Sequence, residues 1–316
     1  MTSFTRSVLA AGLLVLGFHA APAQAQMSRT FVSAAAGNDA NNCDRPTPCR
    51  TFQGAHNKTN ADGEIMVLDT GGYGSVTITK SISIVNQVGE ASILVSGSGV
   101  GVIINAGAAS YVNLRGITIQ GIGFGGGTGL LFLNGFSLTM TNCVIRNHTK
   151  DGIDFEPGSS SNLAVSNTLV ADNGGSGIFV QPFGASIAKA SFSRLEAYNN
   201  SVDGILATAP IQSNGGGWTY VNVVDSVVSN NTATGFHTIS GSSVPGVTMS
   251  VIRSMANNNN VGAFATGGKS EIVFSQSTLL FNGGGSGPNW QGNIASYGDN
   301  NVDINDQAPI FLPPKK

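Results

Sequence analysis

The stretches SLTMTNCVIRNHTKDGIDF (residues 137–155), NLAVSNTLVADNGGSGIFV (162–180) and KASFSRLEAYNNSVDGILA (189–207) lie over one another, and their superposition decides the fold. Apolar residues alternate inside each, as at Leu138 and Met140 and again at Cys143 and Ile145. Alternation at period two means a strand with one buried face. The phase slips once between the two pairs, as a bend between two short strands requires. A glycine motif then precedes a third apolar triplet, IDF, IFV or ILA. The glycine recurs as Gly152, Gly177, Gly204, Gly235 and Gly262, at spacings of 25, 27, 31 and 27 residues. A period in the twenties with variable loops predicts a solenoid, each coil built from three short strands.

The same line extends in both directions, as YVNLRGITIQG (111–121) before and YVNVVDSVVSNN (220–231), GVTMSVIRSMANN (246–258) and EIVFSQSTLLFN (271–282) after. Five residues ahead of the recurring glycines stand Asn147, Asp172, Asn199, Asn230 and Asn257. Asparagine tolerates a left-handed backbone and bonds to main chain, so these side chains are expected to stack inside the turn as a ladder. Composition agrees with many short strands: charged residues are only 10% and glycine is abundant, yet 41% of the chain is hydrophobic, which argues against disorder.

The coil pattern, with its asparagine row, resembles the right-handed parallel β-helix of the pectin-lyase-like superfamily. The resemblance covers residues 64–305 and implies an all-β solenoid. The preceding segment, residues 26–63, is similar to the N-terminal cap of such proteins, with a short helix over Thr51 to Lys58 and a first strand at Glu64 to Leu68. An open solenoid end is an exposed sheet edge, so a cap is physically required. Residues 306–316 form a C-terminal tail.

The first residues bear on the compartment. Arg6, the apolar run Val8 to Phe18 and the small residues Ala23-Gln24-Ala25 form a signal-peptide pattern over residues 1–25. Eleven apolar residues are too few to span a bilayer core, which needs about 20. A secreted or periplasmic product without a transmembrane segment is expected. Cys43 and Cys49 flank DRPTP and suit a disulfide in an oxidising compartment, while Cys143 falls at an inward position as a buried thiol. Lysine and arginine number 15 against 17 acidic residues and nowhere cluster, which excludes a nucleic-acid partner.

Chemistry points to Lys150-Asp151-Gly152-Ile153-Asp154-Phe155-Glu156, with Arg146 and His148 just before it. With Ile153 and Phe155 inward, Asp154 and Glu156 project from one strand about 7 Å apart. Such a pair can bind a cation or share acid and base roles. The segment resembles the Asp-Gly-x-x-Asp calcium segment of pectate lyases, with one residue fewer. That resemblance implies calcium held by Asp151, Asp154 and Glu156, and catalysis by Asp154, Glu156 and Lys150. The lyases' Arg-x-Pro-x-x-Arg, the polygalacturonases' Gly-His-Gly and the epimerases' Asp-Pro-His have no counterpart. His237 follows the inward Phe236 and is expected at the surface without a partner, as is His56 in the cap. The expected partner is a polysaccharide or cell-surface glycan, with lyase or hydrolase activity and an adhesin-like structural role as alternatives.

Overall fold

The computed structural model describes residues 27–121, 125–210, 216–241, 245–285, 288–303 and 310–311. The expected signal peptide and most of the tail lie outside them. No helix among the described residues is long and apolar enough to cross a membrane. The described strands form two parallel sheets, sheet A of twenty strands and sheet B of nine. In one coil, Ser137–Thr141 and Val144–Arg146 belong to sheet A and Ile153–Phe155 to sheet B. Each strand pairs with its equivalent one coil away, as Leu138 with Leu163, Ile145 with Val170 and Ile153 with Ile178. The chain is therefore a parallel β-helix whose core is a column of inward residues stacked like on like. Phe132 and Phe155, for instance, meet with ring centroids 4.5 Å apart.

The phase slip has a clear backbone cause. Between the two sheet A strands, one residue per coil takes the left-handed conformation: Asn142, Asn167, Arg194, Asp225, Arg253 and Gln276. That residue turns the chain and resets which side chains face inward. Just after it the interior holds Thr168, Ser226, Ser254 and Ser277, whose hydroxyls accept backbone N–H groups from the neighbouring coil at 3.1–3.3 Å. Each also donates to the carbonyl two residues back. Cys143 occupies the same row, buried and free, and its Sγ–H points to the carbonyl of Thr141.

The asparagine ladder exists one residue later than the sequence reading placed it. Asn147, Asp172, Asn199 and Asn230 do take the left-handed backbone, but Asp172, Asn199 and Asn230 are exposed. At the last of these turns Asn258, not Asn257, is the left-handed residue. The buried ladder is Asn173, Asn200, Asn231, Asn259 and Asn282. The Nδ2 of Asn200 donates to Oδ1 of Asn231 at 2.9 Å, and the Nδ2 of Asn231 donates to Oδ1 of Asn259 at 2.9 Å. A left-handed residue points its side chain out, and its successor points in. His148 begins the row: it is buried, its backbone N–H donates to Asn173 and its Nε2 lies 3.2 Å from the carbonyl of Ile119.

At the N-terminal end, helix α1 (Phe52–Lys58) buries Phe52, Ala55 and His56 against the first coil. Its N-cap Thr51 accepts from the N–H of Gly54 and hydrogen-bonds Asp39. His56 is 4% exposed, so the surface placement expected for it fails, and burial lowers its pKa. Cys43 and Cys49 are joined by a disulfide in this segment.

Candidate functional site

Sheet B positions the residues singled out in the sequence. In Ile153–Phe155 the two apolar residues are fully buried, so Asp154 faces out. Parallel register then stacks outward residues into one column: Leu131, Asp154, Phe179, Leu206, His237, Phe264 and Gln291. The first six are half-buried rather than fully exposed. Steps of about 4.8 Å separate neighbours, the strand spacing of a sheet.

Asp154 sits between Leu131 and Phe179, and its Oδ1 is closed to solvent without a hydrogen-bond partner. Burial raises its pKa to about 8, and the neighbouring Glu156 and Asp151 push the same way while Lys150 opposes them. Glu156 lies just past the strand, half-buried, with a pKa raised first by burial and then by Asp151. Asp151, ahead of the strand, spends its Oδ1 on the N–H of Ser176 at 2.6 Å, and burial raises its pKa too. Lys150 is exposed at the turn. Arg146 and His148 do not join them: Arg146 projects from sheet A and His148 points into the core.

Calcium needs six to eight converging oxygens. Among the described residues no three His, Cys, Asp or Glu side chains converge in that way.

Three coils along the column stands a pair that sequence reasoning missed. His237 Nδ1 lies 2.9 Å from Oδ2 of Asp203, and the other oxygen of Asp203 accepts the N–H of Thr234 at 2.8 Å. The imidazole stacks on Phe264 with centroids 5.2 Å apart and planes 10° from parallel. His237 is thus a held side chain, not a free surface one, and Asp203 is 2% exposed. The signal was the repeated DGI at Asp203, but linking it to a histidine 34 residues on requires the coil register.

A groove of about 650 Å³ runs along the bend of sheet A, lined by Asn142, Asn167, Arg194 and Asp225 among others. Two of its charged residues already have partners: Asp225 is bound by Arg253 at 2.7 and 3.1 Å, and Arg194 bonds Asn167. Two separate aromatic pairs lie on the sheet A side, exposed Tyr111 on Phe136 and, four coils further along, half-buried Trp218 on exposed Tyr220.

A family model described as a right handed beta helix region matches residues 57–209 and 101–279. Among solved structures the chain is similar to the pectate lyase Pel9A, with 18% identity, a TM-score of 0.59, and 89% of this chain and 78% of that chain covered. The A-module of the mannuronan C-5 epimerase AlgE4 of Azotobacter vinelandii is similar at 13% identity and TM-score 0.48, over 78% of this chain and 81% of that one. A rhamnogalacturonan lyase is similar at 13% identity and TM-score 0.46, over 90% and 85%. Such identities speak for the fold alone. No curated protein matches the sequence.

Proposed function

The chain belongs to the right-handed β-helix family, and from that premise we propose that it is an exported protein that holds an extended polysaccharide along the outward face of sheet B. One observation carries this: the in-register column of half-buried Leu131, Phe179, Leu206 and Phe264, interrupted by Asp154 and His237. A sugar ring has an apolar face of C–H groups and an edge of hydroxyls. Rings and aliphatic side chains take the face, and the interspersed polar groups take the edge. The column repeats along the solenoid axis, so a polymer laid along it meets similar chemistry at each coil. A pectate lyase with the same architecture is in keeping with such a ligand. The test is retention of the protein on immobilised polysaccharide, with Phe179→Ala/Phe264→Ala as control. Undiminished retention by that variant would remove the column from the account.

A second reading, hydrolysis, is favoured by the raised pKa of Asp154. A carboxyl protonated up to about pH 8 can act as general acid, with Glu156 as its base and Lys150 supplying positive charge beside them. Positions two residues apart on extended chain are about 7 Å apart, a spacing compatible with an inverting pair. New reducing ends from the native protein, lost in Asp154→Asn while retention persists, would establish it. Retention without new ends from the native protein leaves binding alone.

A further inference from the structure

We infer that the glycan taken by sheet B carries no carboxylate groups, an inference that rests on the polysaccharide reading above. The nine strands of sheet B contain no lysine or arginine. Their charged and titratable residues are Asp154 and His237. The turns that flank the middle coils add Asp151, Asp203 and Glu156 against Lys150. Lys80 and Lys269 stand at the two ends, and Lys80 already donates to the carbonyl of Thr59. A polymer along the column therefore passes the carboxyl groups of Asp151, Asp154 and Glu156 and one exposed ammonium in its central stretch, with Asp203 buried beneath the imidazole of His237.

None of these acidic groups forms a salt bridge with a lysine or arginine among the described residues. Asp203 binds the imidazole of His237, and Asp151 binds a backbone N–H. Asp154 has an oxygen closed to solvent with no partner at all. Neighbouring carboxylates help raise the pKa of Asp154, Glu156 and Asp151, the mark of a locally negative potential. A uronate in that stretch would add like charge to a partly desolvated surface, where repulsion is least screened. Hydroxyl groups face no such repulsion. A protonated Asp154 donates to them, and Glu156 and Asp151 accept from them. The surroundings of the site are thus opposite to what recognition of an acidic polymer requires, which is bidentate arginine or a metal ion. The arginines that line a groove, Arg115 and Arg194, lie on sheet A.

The experiment measures retention of the full mature chain, at low salt and pH 7, on a soluble neutral β-glucan, on chitosan and on polygalacturonate of matched length. Retention on the glucan or on chitosan at least ~10-fold stronger than on polygalacturonate is expected, the change that about 1.4 kcal/mol of repulsion produces. Glu156→Lys should then raise retention on polygalacturonate several-fold, and its folding is checked by circular dichroism. Polygalacturonate retained as well as or better than the other two overturns the inference and leaves the polysaccharide reading standing. Retention on none of the three overturns that reading and the inference with it.

Discussion

Displacing the ladder by one residue changes which side chains carry stability. Asn200 and Asn231 each bond a neighbouring amide and a carbonyl inside the turn, so leucine there strands buried backbone groups. Asn200→Leu or Asn231→Leu should cost about 1–3 kcal/mol in urea unfolding. Asn199 is exposed and needs only its left-handed backbone, with φ of 53°. Glycine adopts that conformation freely, so Asn199→Gly should change stability by less than about 0.5 kcal/mol. Equal losses at 199 and 200 would contradict the placement. Asp154 gives a second residue-scale expectation. Its folded pKa of about 8 lies above the ordinary 3.8, so the fold favours the protonated form. The corresponding stability is fully present below about pH 4 and is lost as pH rises toward 8. A shift of that size sets an upper limit, and partial exposure reduces it to about 1–3 kcal/mol. Asp154→Asn should remove that part of the decline, so melting curves of the two proteins should diverge between pH 5 and 8. Parallel curves would mean that Asp154 ionises freely.

At the scale of the coil, period two and the recurring glycine were legible because burial and close approach are written into every line. Gly177 shows why the glycine recurs: a Cβ there would stand 2.7 Å from the carbonyl oxygen of Gly204 and 2.8 Å from Nδ2 of Asn200. Adjacent coils touch at that point, so Gly177→Ala should cost about 1–3 kcal/mol by overpacking and disturb the ladder above it. A Tm equal to the native value would show that the contact is slack. What the sequence left obscure lies in the register between coils. Two consecutive asparagines, Asn199-Asn200 and Asn230-Asn231, fill the turn, and periodicity alone does not say which faces in. The hydroxyl row was hidden because Cys143 and Leu195 interrupt Thr168, Ser226, Ser254 and Ser277. The acidic pair at Asp154 and Glu156 was visible as alternation along one short segment, whereas Asp203 and His237 meet only across coils. The calcium expectation came from a motif one residue short, and among the described residues no three His, Cys, Asp or Glu side chains are grouped to hold a metal ion.

For the molecule as a whole, the proposed function lies along the long axis of the solenoid, because stacking turns single outward residues into a continuous column. Other surfaces compete with it: the polar groove on the bend of sheet A, and the separate aromatic pairs Tyr111–Phe136 and Trp218–Tyr220. All of these surfaces contain oxidisable or otherwise labelable side chains, so one experiment distinguishes them. Hydroxyl-radical footprinting of the mature chain, with and without a saturating neutral oligosaccharide, measures which side chains a ligand covers. The account predicts protection of Phe179, Leu206, His237 and Phe264 together, with Tyr111 and Tyr220 unchanged. Protection confined to Tyr111 or Tyr220, or to the sheet A groove, would contradict it.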